Sequence, residues 1–178
     1  GGPSLDMKYK SGVGWLPVAV VHGMTLSELA LMSNGEGWLK DGIQCDLTVV
    51  PCKNYTRDME YVLPIKPSPN LPDMRSIYLY PSTCYFEATP VSLGRGTDKP
   101  FQIYGHPDMT GYDFSFTPRS VPGAKNPPQL DKLCYGVDLS SLPIEEIKAR
   151  GINLEYVIDA YNNVKLDDKK MFRSFFEL

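Results

Sequence analysis

Residues 1–178 contain no run of about 18 apolar side chains, the length a helix needs to cross a bilayer. No signal peptide is visible: Gly1-Gly2-Pro3 has neither a basic stretch nor an apolar one. The four cysteines, Cys45, Cys52, Cys84 and Cys134, form no C-x-x-C pair, and the two histidines lie away from them in sequence. That spacing argues against a structural zinc site, and no metal is expected. Cys45 and Cys84 adjoin apolar runs and are expected as buried free thiols. Charge of one sign is also scarce. A net charge of −3 and a pI near 5.4 give nothing to recruit nucleic acid or an anionic membrane surface. No internal repeat is present.

What is there has globular composition, 42% hydrophobic and 22% charged, so the chain can build a core. Pro17 to Val21 is a short β-branched run that suits a buried strand, and Cys45 to Val50 is a second. Between them, Thr25 and Glu28 have the spacing of a capping box. The apolar stripe from Leu26 to Met32 then predicts a helix stopped at Asn34-Gly35, placing His22 at a strand-to-helix junction. Asp46 is expected to cap the start of the second strand. Tyr61 to Ile65 reads as extended, and residues 66–72, with three prolines, as loop. Ser76 to Tyr80 alternates like a strand, Cys84 to Glu87 suits a short helix, and Phe101 to Tyr104 is extended.

Residues 105–131 read as a long structured loop. Helices are predicted over Ile144–Arg150 and Ile152–Asn162, and a third from Asp167, with Met171, Phe172, Phe175 and Phe176 on one face. That face carries no cap, so the expectation is a chain truncated there. Strands mixed with helices predict an α/β class, a mixed α+β sheet domain with several helices. Residues 1–15 read as a linker arriving from an absent N-terminal domain, and 16–178 as the domain itself.

Three segments carry a family resemblance. One runs Leu79-Tyr80-Pro81-Ser82-Thr83-Cys84-Tyr85-Phe86-Glu87-Ala88-Thr89 and on through Val91-Ser92-Leu93-Gly94-Arg95-Gly96-Thr97-Asp98-Lys99-Pro100-Phe101. Another is His22-Gly23-Met24-Thr25 with Glu28-Leu29-Ala30 and Asn34-Gly35-Glu36-Gly37-Trp38-Leu39. Cys134-Tyr135-Gly136-Val137-Asp138-Leu139 is the third. Together they resemble the NamZ-type (YbbC-like) exo-β-N-acetylmuramidase family, departing at Val21, where many relatives carry Arg. The resemblance implies a Rossmann-like N-terminal domain followed by a smaller α/β auxiliary domain facing its cleft, with this chain as the second part. It implies a glycoside hydrolase that releases N-acetylmuramic acid from non-reducing ends of peptidoglycan fragments, in an exported or periplasmic setting and without a cofactor. The expected partners are those saccharides and the protein's own N-terminal domain, and residues 1–178 alone are expected to be inactive.

N-acetylmuramic acid differs from its neighbouring sugar by a lactyl ether bearing a carboxylate, which a planar cation or a set of amides can select. Arg95, between Gly94 and Gly96 and followed by the Thr97 hydroxyl, fits that task. It fits equally the shaping of a turn by pairing with Asp98 or another carboxylate. The segment lacks the spacing of a phosphate loop. Glycoside hydrolysis usually takes two carboxyl groups, one kept protonated by its surroundings. Glu87, among Tyr85, Phe86 and Ala88, can serve as such an acid or can fix the Gly94–Thr97 loop; the main catalytic carboxylates are expected in the N-terminal domain. His22 can bond a sugar hydroxyl or satisfy the helix start. His106 is expected at the surface. Tyr78, Tyr80, Tyr85, Tyr104 and Trp38 offer stacking faces or are simply core. The competing reading is a glycan-binding or assembly domain without chemistry of its own.

Overall fold

The computed structural model describes residues 1–12 and 14–171. They fall into two compact units, Gly1–Tyr61 and the residues from Val62 onward.

The first unit is built around one helix, α1 (Leu26–Gly35). The Thr25 hydroxyl accepts the Glu28 N–H at 3.2 Å, and the Glu28 carboxylate accepts the Thr25 N–H at 2.8 Å. The predicted capping box therefore forms, and such a cap contributes about 1 kcal/mol. Short 3-10 turns at Met7–Tyr9 and Lys40–Gly42 flank the helix in sequence.

The strands predicted over 17–21 and 45–50 are not strands. Ala19 makes one isolated bridge to Ser4, and 45–50 is irregular. A strand exists only through the ladder groups of a neighbour, and among the described residues none lies beside 46–50 to supply them. Cys45 is instead held by a side chain: Asn34 Nδ2 donates to its carbonyl at 3.0 Å, and Asn34 Oδ1 accepts its N–H at 2.7 Å. Among the described residues Asp46 caps nothing, and Cys45 is exposed rather than buried. Tyr61 to Ile65 also stays outside any sheet.

The second unit holds a three-stranded antiparallel sheet: β1 (Ile103–His106), β2 (Phe114–Phe116) and β3 (Cys134–Asp138), in the order β1-β3-β2. The central β3 pairs Gly136 with both Gly105 and Phe114. β2 lies within the stretch predicted as loop; it is strand because β3 offers its edge there. The 91–93 segment adds to the other edge of β1, with Ser92 and Gly105 exchanging both backbone bonds at 2.9 Å.

Around the sheet lie α2 (Met74–Thr83), α3 (Ile144–Arg150), α4 (Glu155–Asn163) and α5 (Asp168–Met171). The class is therefore α/β in the broad sense, helices with a small antiparallel sheet. α2 replaces the strand predicted over Ser76–Tyr80. Asp73 decides this by accepting the Ser76 N–H at 2.8 Å, and Ser76, Leu79, Ser82 and Thr83 then bury one helical face. The short helix predicted from Cys84 is a 3-10 helix, Cys84–Ala88. α3 forms where predicted. α4 starts three residues after the predicted Ile152, because Asn153 spends its side chain accepting the Glu155 N–H at 2.9 Å and gives its own N–H to Ser82 Oγ. Phe172, Phe175 and Phe176 lie outside the described residues. The core joins Leu79, Phe86, Leu93, Phe101, Tyr104 and Met109, with Phe86 stacked on Tyr104 at 4.9 Å.

Candidate functional site

The 91–93 pairing with β1 and the return bond from Phe101 N–H to the Leu93 carbonyl, 2.8 Å, pin both ends of the loop 94–100. Inside it, Gly94 and Gly96 both have left-handed backbones, φ +82° and +81°, which glycine adopts without a Cβ penalty. Their lack of a side chain serves close packing on the chain itself. A Cβ on Gly94 would stand 2.7 Å from Ile103 Cγ1, and one on Gly96 2.8 Å from Pro127 Cγ and 2.9 Å from Arg119 N. Gly96 is buried, and its carbonyl accepts the Arg119 N–H at 2.8 Å. Thr97 turns its hydroxyl inward as well, donating to the Gly94 carbonyl at 2.7 Å and accepting the Lys99 N–H at 3.0 Å.

This frame projects Arg95. Its Nη2 pairs with Glu87 Oε1 at 2.5 Å, the two side chains being 36% and 33% exposed. Glu87 is delivered by the 3-10 helix Cys84–Ala88. The carboxylate partner is thus Glu87, not Asp98, and Glu87 meets the loop through the guanidinium. The guanidinium carbon lies 5.4 Å from the centre of the Phe101 ring, which in turn packs against Tyr80 at 5.1 Å. Arg95 Nε is buried and has no hydrogen-bond acceptor among the described residues. The arrangement is a fixed, half-exposed planar cation on an aromatic floor, with one carboxylate beside it.

The neighbours are electrically quiet at neutral pH. Burial, and then the Glu87 carboxylate, push the Cys84 thiol up to about 11, so it stays protonated and is no nucleophile. Burial and the same carboxylate raise the Tyr80 hydroxyl. Lys99 Nζ pairs with Asp138 Oδ2 at 2.6 Å behind the loop. Burial raises the Asp138 carboxyl, but the hydrogen bonds from Lys99 and Ser140 outweigh it, and the net effect is downward.

The other predicted residues lie elsewhere. His22 belongs to the first unit, exposed, its Nδ1 accepting the Met24 N–H at 3.0 Å just before the α1 cap. His106 is not at the surface: β1 buries it to 8% exposure, and its Nδ1 accepts the Asp108 N–H at 3.2 Å. Burial holds its imidazole below the ordinary range and so neutral at pH 7, against the pull of Asp108. Tyr104 is core, whereas Tyr78 and Tyr85 are half-buried and Tyr80 is partly exposed.

Sequence reasoning missed Phe101, which looked like a strand residue, and a second polar cluster assembled over long sequence distance. Asp159 on α4 accepts hydrogen bonds from the hydroxyls of Tyr104, at 2.6 Å, and Tyr112, and from Asn163 Nδ2. Burial and the Asp159 hydrogen bond push the Tyr112 hydroxyl up to about 12 and raise Tyr104 further. Among the described residues no three His, Cys, Asp or Glu side chains are placed to hold a metal ion. No helix among them is long and apolar enough to cross a membrane.

Comparison with known proteins places the chain in a family. The family model described as "Exo-beta-N-acetylmuramidase NamZ, C-terminal" matches residues 78–178, and its N-terminal counterpart matches residues 1–75. The "Peptidoglycan beta-N-acetylmuramidase NamZ" of Bacillus subtilis is 40% identical over 153 residues, 78% of this chain and 36% of the relative. A crystal structure of a DUF1343 family protein from Bacteroides fragilis is 69% identical, with a TM-score of 0.95 over 99% of this chain and 50% of its own. A second DUF1343 structure from that organism, 22% identical with a TM-score of 0.66 over 95% of this chain, shares the fold. The chain thus spans about a third of the length of the curated relative and half that of the solved ones.

Proposed function

Because the chain belongs to the NamZ family, we propose that it is part of an exo-β-N-acetylmuramidase releasing N-acetylmuramic acid from the non-reducing ends of peptidoglycan fragments. In this reading the auxiliary α/β domain, expected over residues 16–178, forms one wall of the sugar cleft. A Rossmann-like N-terminal domain supplies the other wall and the main catalytic carboxylates. An exported or periplasmic location and a part in cell-wall recycling go with that substrate.

The observation that carries the proposal is the placement of Arg95. A rigid loop holds its guanidinium half in water, with a planar face and donors suited to a carboxylate. Its present partner is cheap to exchange, since an ion pair this exposed contributes only about 0–1 kcal/mol. The lactyl carboxylate of N-acetylmuramic acid can therefore share or take over the guanidinium, while Glu87 holds it in position between substrates. Gly96 and Thr97, read with Arg95 as substrate-binding residues, support it through the loop, Gly96 by its close packing and Thr97 by its bond to the Gly94 carbonyl. Glu87 stands beside this cation as its ion-pair partner, and any catalytic part it takes starts from that position. In the first unit, His22 has its Nδ1 engaged by the Met24 N–H, and a sugar hydroxyl would meet it at Nε2.

The test is release of N-acetylmuramic acid from its disaccharide with N-acetylglucosamine by the full-length polypeptide, wild type against Arg95→Ala. The charge-assisted bond is worth about 1.5–3 kcal/mol, so kcat/KM should fall about 10- to 150-fold with the circular dichroism spectrum unchanged. Unchanged activity would reduce the Gly-Arg-Gly-Thr loop to scaffold.

A further inference from the structure

Beside Arg95 the second unit holds a ring in place by a strained backbone. Phe101 has φ +61°, a left-handed conformation that bulky residues rarely adopt and that persists only where the surroundings impose it. They do so here from both ends. The Phe101 N–H donates to the Leu93 carbonyl at 2.8 Å, and its carbonyl accepts the Thr83 hydroxyl at 3.4 Å. Phe101 itself is buried, 1% exposed. The ring so placed touches two groups that reach solvent. One is the Arg95 guanidinium, 5.4 Å from its centre; the other is the Tyr80 ring, 5.1 Å away and tilted by 48°.

Tyr80 is the open aromatic of the set in this unit. It stands on α2 away from the buried face of Ser76, Leu79, Ser82 and Thr83, and is 38% exposed. Tyr78 is half-buried with Lys148 Nζ over its ring at 5.8 Å, Tyr85 is half-buried, and Tyr104 is stacked on Phe86 in the core. Glu87 and Arg95 both lie close enough to Tyr80 to act on the ionisation of its hydroxyl, with opposite signs. The fold thus brings an exposed aromatic ring and a half-exposed cation together, one buried side chain apart.

We propose that Tyr80 is the sugar-stacking residue of the Arg95 site, laying its ring against the C–H face of the N-acetylmuramic acid pyranose whose lactyl carboxylate meets Arg95. The inference rests on the muramidase reading and deepens it. A pyranose with equatorial substituents carries C–H groups on its faces and its polar groups around its rim. Such a ring takes an aromatic side chain on a face and charged partners at the edge. The lactyl ether is a rim substituent that carries its carboxylate out from the ring, and the Phe101 ring sets the matching separation between Tyr80 and Arg95. Recognition is divided between the two residues. Arg95 reads the charge that distinguishes this sugar, and Tyr80 holds the ring whatever its charge. Phe101, being buried, is a positioning residue for both.

The test is steady-state hydrolysis by the full-length polypeptide of a chromogenic N-acetylmuramic acid glycoside and of its lactyl amide. Tyr80→Leu keeps an apolar side chain against Phe101 and suits a helix, but it has no flat face. With the circular dichroism spectrum unchanged, KM should rise about 10-fold for both substrates while kcat stays near wild type and the acid-to-amide preference is kept. Tyr80→Phe retains the ring and should stay within about 2-fold of wild type on both. A wild-type KM in Tyr80→Leu would overturn the proposal. So would a Tyr80→Phe as weak as Tyr80→Leu, which would make the hydroxyl the contact. Loss of the acid preference in Tyr80→Leu would make Tyr80 a support for Arg95 instead of a sugar contact, and would equally overturn it. In each of these cases the muramidase reading stands, whereas a wild type inert toward both glycosides would sink that reading and the stacking with it.

Discussion

Replacing Gly96 with alanine tests whether the Arg95 loop is held by backbone geometry. At φ +81° an alanine meets the left-handed penalty, about 1–2 kcal/mol. Its Cβ would also lie 2.8 Å from Pro127 Cγ and 2.9 Å from Arg119 N, well inside the ~3.5–4.0 Å optimum of a carbon contact. Since one of those atoms is backbone, the strand of chain at Arg119 must move, and overpacking of this kind costs about 1–3 kcal/mol. The total is about 2–5 kcal/mol, before any weakening of the 2.8 Å bond from Arg119 N–H to the Gly96 carbonyl. Urea unfolding, monitored by near-ultraviolet circular dichroism, should show that loss as a lower midpoint at unchanged slope. Gly111→Ala is the control: its Cβ would meet nothing within 4 Å, and it should stay within about 0.5 kcal/mol of wild type. If Gly96→Ala matched Gly111→Ala, the loop would be compliant and the reasoning from its glycines would be wrong.

Three further outcomes follow from the same coordinates. Asp159→Ala leaves the buried Tyr104 hydroxyl without its partner and should cost about 1–3 kcal/mol in urea; Tyr104→Phe added to it should recover part of that, and no recovery would contradict the assignment. Because the folded state raises the Tyr112 hydroxyl from 10.0 to about 12, stability present below pH 10 should be lost as pH rises toward 12. The urea midpoint should fall over that window in wild type and fall less in Asp159→Ala; parallel profiles would count against the cluster. Thr25→Ala removes the α1 cap and should speed amide exchange in the first turn about 5-fold, for a loss near 1 kcal/mol, whereas an unchanged rate would mean the cap is idle.

Local chemistry was legible in the sequence, and partnership was not. The capping box at Thr25–Glu28, α3 and the short helix at Cys84 are set by neighbours a few residues away, and each formed as read. Ser76–Tyr80 was misread because its alternation fits either period; the deciding signal, Asp73 as an N-cap, was there to be used. The segments 17–21 and 45–50 have the composition of strands without the neighbours that make one, and no inspection of those residues reveals that. At the site, Arg95 and Glu87 were both named from the sequence, but their pairing with each other, eight residues apart across a 3-10 helix and a turn, came only from the fold. His106 looked like a loop residue after Gly105 and before Pro107, and pairing with β3 drew it into the interior. The Asp159 cluster joins groups 47 and 55 residues apart and left no local trace.

The central claim is that the Arg95 guanidinium selects the lactyl carboxylate. The most direct measurement compares kcat/KM of the full-length protein for a chromogenic N-acetylmuramic acid glycoside and for the same glycoside with its lactyl carboxylate converted to the amide. Wild type should prefer the acid by about 10- to 150-fold, and Arg95→Ala should bring that ratio close to one. A ratio that survives in Arg95→Ala would contradict the claim and assign carboxylate recognition to another residue.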